Sequence, residues 1–230
     1  MKKKTVIIAT IKSWNIENAK KFKKQYLSHL NTILITHQNQ LDASILHELN
    51  PSYIFFPHWS WIIPETIFKN HACVIFHMTD LPYGRGGSPL QNLIVRRIKK
   101  TKITALKAVR ELDAGPVYMK KDLDLRGSAT QIYKRASKII FNKMIPEIIK
   151  KNPTPVTQKG KPVFFHRRKP YQSRIANLKT LDEIYDHIRM LDAEGYPKAY
   201  IENKKVKIYF ENAKLRNGIL TAKAFMEINQ

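Results

Sequence analysis

Two ionisable residues stand where an α/β fold places chemistry. His77 closes an apolar run, Cys73-Val74-Ile75-Phe76. It opens onto the loop Asp80-Leu81-Pro82-Tyr83-Gly84-Arg85-Gly86-Gly87. Asp113 lies 36 residues further on, in Leu112-Asp113-Ala114-Gly115-Pro116. Ionisable groups at strand ends beside Gly/Pro loops are the usual site positions of such folds. An acid that meets a histidine can orient the imidazole, raise its basicity and let it carry a proton. The bland readings are a structural histidine and an aspartate that caps the Ala114-Gly115 turn.

The glycines of the loop admit two readings as well. Three within four residues let a ligand approach the backbone closely, and the helix opening at Ser88-Pro89 has free amides for an anion. A plain strand-to-helix turn is the alternative. No Gly-Lys-Ser/Thr follows at Walker spacing, and the glycine register is not that of a dinucleotide fingerprint. His58, His71 and His77 lack a metal-binding repeat, and Cys73 has no cysteine partner, so no metal is expected. Nucleophilic serine chemistry lacks its Gly-x-Ser-x-Gly. Trp59-Ser60-Trp61-Ile62-Ile63-Pro64 is either core and loop filler or an apolar wall for a flat ring system.

The elements that must position these residues alternate in the first half. Strand signals at 5–10, 32–36, 53–56 and 74–76 are separated by helical spacing at 16–30, 41–49 and 64–70, with a further helix at 89–100. That alternation implies a Rossmann-like, mostly parallel sheet with helices on both faces. Paired strands are expected at 101–112 and 117–125. The capping box Ser128-Ala129-Thr130-Gln131 opens a long helix to about Lys151, interrupted at Pro146. Asn152-Pro153-Thr154-Pro155 stops regular structure. A second box at Thr180-Leu181-Asp182-Glu183 begins a helix that Gly195-Tyr196-Pro197 ends. Three short β runs follow, at 199–202, 206–210 and 219–224. The expected organisation is a catalytic domain over 1–152, an extended basic connector over 153–178 and a small β-rich subdomain over 179–230.

The 230 residues are 43% hydrophobic, enough for a core, and no run approaches the roughly 18–20 apolar residues of a membrane helix. The Met1-Lys2-Lys3-Lys4 start precedes too short an apolar stretch for a signal peptide and reads as the approach to a first strand. A single cysteine excludes an internal disulfide framework and fits a reducing cytoplasm. The net charge of +23 suits anionic partners such as nucleic acid, nucleotide diphosphates or polyglutamylated cofactors. Its clusters are not interleaved with aromatics as a stacking platform would be. A Lys-rich soluble surface is the bland reading.

Taken together, these pieces resemble the 10-formyltetrahydrofolate-dependent formyltransferase family, which includes methionyl-tRNA formyltransferase, glycinamide ribonucleotide formyltransferase and the sugar-nucleotide N-formyltransferases. The resemblance is carried by Ile75-Phe76-His77, Asp80-Leu81-Pro82-Tyr83-Gly84-Arg85-Gly86, Leu112-Asp113-Ala114-Gly115 and Trp61-Ile62-Ile63-Pro64. Late in the chain it resumes at Ile188-Arg189-Met190-Leu191 with Tyr196-Pro197-Lys198-Ala199-Tyr200, which is similar to the start of an oligonucleotide-binding-like barrel. The departure is Ile75, where the family has an Asn that helps hold the formyl oxygen. Ile has no donor, and His58, Thr79 and Asn92 are the candidate replacements.

The resemblance implies formyl transfer from 10-formyltetrahydrofolate, without a metal, to a primary amine. His77 and Asp113 would be the catalytic pair. Trp61, Ile62, Ile63 and Leu81, with Glu111, Leu112 and Asp113, would enclose the pterin. Met78, Tyr83, Gly84, Arg85, Gly86 and Gly87 would border the acceptor. Phe164-Phe165-His166-Arg167-Arg168-Lys169-Pro170 is similar to a stretch of the sugar-nucleotide enzymes, so Arg167, Arg168 and Lys169 would grip a diphosphate. The expected acceptor is therefore a nucleotide-linked 4-amino-4,6-dideoxy sugar for surface-glycan biosynthesis. Methionyl-tRNA is the alternative acceptor, and a non-catalytic or weakly active folate-binding module the second alternative. A homodimer is compatible with the sequence.

Overall fold

The computed structural model describes residues 3–228. A six-stranded sheet in the order β2-β1-β3-β4-β6-β7 organises the chemistry-bearing part of the chain. Its strands are β1 (Lys4–Ala9), β2 (Leu30–Ile35), β3 (Tyr53–Pro57), β4 (Cys73–His77), β6 (Lys100–Lys107) and β7 (Val117–Asp124). The first four run parallel, and β6 lies antiparallel to β4 with Ile75 opposite Leu106 and His77 opposite Thr104. Val6, Ile7, Ile8, Ile54, Phe55, Cys73 and Val74 are buried almost completely. Such continuous apolar runs are what parallel strands covered on both faces require. The architecture is thus mixed α/β with a mostly parallel sheet, and an antiparallel β-rich region follows near the C-terminus.

Between the strands lie α1 (Ser13–Gln25), α2 (Ala43–Leu49) and α3 (Glu65–Phe68). Asp42 caps α2 by accepting from the amides of Ser44 and Ile45. The helix α4 (Pro89–Val95) is shorter than the expected 89–100. Arg97 turns left-handed at φ 59, which ends helical hydrogen bonding and lets the chain enter β6 at Lys100. A strand not expected from the sequence, β5 (Tyr83–Gly86), pairs with β8 (Val163–Phe165) inside the segment expected to be only extended.

The capping box at Ser128 and Gln131 forms, with Gln131 Oε1 accepting from the Ser128 amide at 3.0 Å and Ser128 Oγ accepting from the Gln131 amide at 3.4 Å. It opens α5 (Ala129–Ile139). The expected interruption at Pro146 appears just upstream, as a π-helical turn over Ile140–Met144 before α6 (Ile145–Lys151). Pro146 cannot donate to the residue four before it, and its ring crowds that carbonyl, so the preceding turn widens.

By density of contacts the chain divides into two compact units. The first comprises residues 1–85, 101–123 and 134–164, and the second 86–100, 124–133 and 165–230. This grouping differs from the linear partition expected at 152 and 178. The second unit contains α4, α7 (Leu181–Leu191) and a three-stranded antiparallel sheet in the order β11-β10-β9. Its strands are β9 (Ala199–Glu202), β10 (Val206–Arg216) and β11 (Ile219–Ile228). The last two are longer than the β runs read from the sequence. Within this unit Gln91 Nε2 donates to the Tyr133 hydroxyl at 3.2 Å and to the Met190 carbonyl at 3.1 Å. Tyr133 in turn bonds Tyr196 at 2.7 Å, and burial pushes the Tyr133 phenol up.

Candidate active site

His77 ends β4 on the same face as Cys73 and Ile75. Ile75 packs against an apolar cluster that includes Phe56, Trp59, Ile63 and Ile67. The strand therefore carries an apolar face up to a buried imidazole that is only 7% exposed.

Both ring nitrogens of His77 face acceptors. Nε2 lies 2.7 Å from the Gly84 carbonyl, and Nδ1 lies 3.5 Å from Asp113 Oδ2. A carbonyl only accepts, so Nε2 carries a hydrogen. Nδ1 is left to hold or release a second proton against the carboxylate. A protonated ring then has an acceptor at each N–H, whereas the neutral ring presents a lone pair to Asp113.

Asp113 reaches His77 by an extended detour. The Ala108 amide donates to the Cys73 carbonyl at the start of β4, whereas Asp113 meets His77 at its end. The loop must therefore run back along the strand, roughly 13 Å for four residue rises. Asp113 itself takes a left-handed conformation at φ 53. Gln158 holds that turn, its Nε2 donating to the Asp113 and Gly115 carbonyls at 2.8 Å each. Gln158 Oε1 accepts from Arg85 Nη2 at 2.8 Å and Nε at 3.2 Å. One amide thus ties the Asp113 loop to the loop after His77. No local pattern around Gln158 signals this role; only the fold brings it there. Gly115 is confined by the same turn, since a Cβ there would lie 1.8 Å from the Lys107 carbonyl.

The residues around the pair have distinct environments. Leu81 and Met78 are buried, at 1% and 8% exposure, whereas Ile62 and Leu112 are 91% and 70% exposed. Ile63 is buried, Trp61 half-buried and Glu111 exposed. The Trp59 indole N–H is buried without a hydrogen-bond partner. Asp80 accepts from Lys120 at 2.5 Å and pairs with Lys102 at 3.2 Å. Burial alone would raise its carboxyl, but these two lysines outweigh that and hold it below its usual value.

The glycines and the basic run also make contacts within the chain itself. Two of the glycines make room for the chain itself. A Cβ at Gly86 would lie 2.4 Å from the Phe165 carbonyl, and one at Gly87 2.7 Å from the Arg167 Cα. Gly84 supplies its carbonyl to His77. The Arg168 guanidinium donates to the Gln172 carbonyl at 2.8 Å, and its amide to Ser88 Oγ at 3.0 Å, while Arg167 and Lys169 are exposed.

Of the candidate replacements for a donor at Ile75, Asn92 spends its amide on the carbonyls of Gly87, Ser88 and His166. Burial drives the His58 imidazole down to about 4, so it is neutral near pH 7. The Thr79 hydroxyl is fully buried at 3.4 Å from the Gly84 carbonyl, the same oxygen that His77 meets. Burial pushes the Cys73 thiol up to about 12. Among the described residues no group of three His, Cys, Asp or Glu is arranged to hold a metal, and no helix is long and apolar enough to cross a membrane.

Residues 170–227 match the family described as methionyl-tRNA formyltransferase, C-terminal domain. The solved methionyl-tRNA formyltransferase from Clostridium thermocellum is 54% identical, with a TM-score of 0.96 over 98% of this chain and 100% of that one. A curated methionyl-tRNA formyltransferase from Bacillus cytotoxicus is 29% identical over 172 residues, 70% of this chain and 54% of the relative. The chain thus spans about half the length of the curated relatives it matches. A sugar N-formyltransferase from a Shewanella species shares the fold at a TM-score of 0.71 over 93% of this chain and 99% of that one, but is only 15% identical. The expected nucleotide-linked amino-sugar acceptor is overturned by that difference, 54% against 15%. The basic run on which it rested also has Arg168 committed to the chain's own backbone.

Proposed function

Because the chain belongs to the formyltransferase family, we propose that it transfers a formyl group from 10-formyltetrahydrofolate to the free α-amino group of methionyl-tRNA. The observation that carries this reading is the 54% identity to the Clostridium thermocellum enzyme across nearly the whole chain. The net charge of +23 suits a polyanionic acceptor. A cytoplasmic site of action fits the single buried thiol.

The residues on the loops after β3 and β6 fit a folate. Ile62 and Leu112 offer exposed apolar side chains to a flat ring. Trp61, Ile63, Leu81 and Glu111 complete this proposed border. Met78, Tyr83, Gly84 and Arg85 are assigned to the acceptor side. Bound folate would supply the one-carbon unit at the formyl oxidation level.

His77 and Asp113 do the rest in this reading. As the new amide bond forms, the bond from the formyl carbon to N10 of the folate breaks; the amine loses one proton and the departing N10 gains one, and His77 Nδ1 is assigned to carry it between them. Asp113 holds the ring in orientation and balances the imidazolium charge. The Gly84 carbonyl keeps Nε2 protonated, so only Nδ1 exchanges. Ile75 contributes no donor to the formyl oxygen, and the N–H of His77 Nε2 is already given to the Gly84 carbonyl.

The test is incubation of the purified protein with 10-formyltetrahydrofolate and methionyl-tRNA, with release of tetrahydrofolate and gain of formyl on the aminoacyl-tRNA both measured. Equal appearance of the two products is the expected result. Folate turnover without formyl-methionyl-tRNA, or no turnover at all, would sink the reading.

A further inference from the structure

A cavity of about 310 Å³ lies wholly within the second unit, between the start of α5, the helix α7 and one end of β10. Its volume is that of a site for a small molecule. Gln131, Tyr185, Arg189 and Asp192 line it, and so do five consecutive residues, 212–216. A regular strand sends alternate side chains to opposite faces, so five in a row on one cavity require an irregular one. The strand is irregular there. Between Glu211 and Lys214, β10 advances three residues against two on β11, and Asn212 turns left-handed at φ 56. An extra residue of this kind bends a strand and re-aims its side chains. The Asn212 amide donates to Asp192 Oδ2 at 3.0 Å, which ties the bulge to the end of α7.

The lining carries a surplus of donors. Arg189 is the buried cation, its side chain only 12% exposed. Its Nε donates to Asp186 at 2.6 Å, and its Nη1 to the Leu125 and Gly127 carbonyls at 2.7 and 2.9 Å, which leaves Nη2. The side chains of Lys214 and Arg216, the Tyr185 hydroxyl and Gln131 Nε2 have no hydrogen-bond partner among the described residues. The one acid of the lining is Asp192. It already serves the Asn212 amide and, at 3.3 Å, Lys198 Nζ. Three cations therefore line the cavity against one acid that is paired elsewhere.

We propose that this cavity binds a small phosphate monoester of mononucleotide size, with the phosphate held by Arg189, Lys214 and Arg216. A monoester phosphate carries nearly two negative charges at pH 7 and three strong acceptor oxygens, which suits a guanidinium fork joined by two further cations. The Tyr185 ring and Leu215 give the same space an apolar side for the sugar or base that the phosphate esterifies. The Arg189 guanidinium lies 5.5 Å from the Tyr185 ring centre, so each keeps the other in place. A phosphodiester inside a nucleic-acid chain fits less well, because it offers one charge and must lead its chain out of the cavity twice.

The test is isothermal titration calorimetry of the full chain with adenosine 5′-monophosphate, with adenosine and with an oligoribonucleotide that has no terminal phosphate. The monophosphate is expected to bind at one site, and adenosine roughly tenfold more weakly or worse. Lys214→Glu is expected to weaken the monophosphate by roughly tenfold or more, since it removes one cation and adds a repelling acid. Lys204→Glu makes the same charge change on an exposed lysine between β9 and β10 and is expected to leave the affinity unchanged. Both lysines are on the surface, and circular dichroism checks that each variant is folded. Backbone amide signals are expected to move at Ser128, Gln131 and 212–216 when the monophosphate is added. Binding is read directly, so the outcome does not depend on formyl transfer. Absence of monophosphate binding, equal loss in the two variants, or signals that move elsewhere in the chain would overturn the proposal. So would an oligoribonucleotide that displaces the monophosphate and shows the same sensitivity to Lys214.

Discussion

Gln158 grips Asp113 by its backbone rather than its carboxylate, donating to the main-chain carbonyl at 2.8 Å. The carboxylate stays available to His77, and the amide fixes only where it points. Gln158→Ala releases Arg85, the Asp113 carbonyl and the Gly115 carbonyl together. We expect kcat to fall by roughly 10- to 100-fold through misplacement of Asp113. The stability loss should be only about 1–2 kcal/mol. Steady-state kinetics beside urea denaturation separates the two effects.

Removal of His77 tests its proposed role as the proton-exchanging group directly. His77→Ala should lower kcat by about 10²–10⁴-fold, the usual contribution of a positioned acid–base group. Asp113→Asn keeps the shape but removes the charge that balances the imidazolium, and should fall in the same range. Single-turnover formyl transfer is the measurement, and wild-type-like rates in either variant would remove the pair from the mechanism.

Gly115 has a steric reason to be glycine. A methyl group there would overlap the Lys107 carbonyl at 1.8 Å. Gly115→Ala must therefore displace backbone, and about 2 kcal/mol or more of destabilisation is expected. The turn that carries Asp113 moves with it, so activity should fall at temperatures where the variant is still folded.

Cys73 should be inert in the native protein. Its thiol is buried and pushed up to about 12, so almost no thiolate exists near pH 8. Iodoacetamide should label it only after denaturation. Rapid native labelling would contradict its placement.

His58 should make stability pH-dependent. Burial lowers its folded value to about 4 from an ordinary 6.5, so the unfolded chain binds the extra proton first as pH falls. Stability is then lost progressively from about pH 6.5 down to about 4. His58→Gln should flatten that part of the profile in denaturation titrations at pH 7, 6 and 5.

The sheet was legible because its strands are buried on both faces, so Val6–Ala9, Tyr53–Phe56 and Cys73–Phe76 are plain apolar runs. The strand β5 was not, since it is four residues long, contains two glycines and finds its partner some 80 residues away. The end of α4 is hidden in the sequence because Arg96, Arg97, Lys99 and Lys100 are compatible with a helix, and the left-handed turn at Arg97 is carried by no glycine. His77 and Asp113 could be found from strand-end logic. Gln158 could not, because its importance lies in three partners distant in sequence. Three glycines in four residues signal either a close approach to the backbone or a plain turn, and at 86 and 87 what approaches is the chain's own segment at 165–167.

The division into two units has a consequence for how this protein can be taken apart. The chain passes from one unit to the other five times, at 85/86, 100/101, 123/124, 133/134 and 164/165. Neither unit is a contiguous stretch of polypeptide. No single proteolytic cut or stop codon can release either one whole, and a fragment such as 165–230 leaves behind the two internal segments that belong to its own unit. Limited proteolysis should therefore yield either intact protein or small peptides, without a stable half.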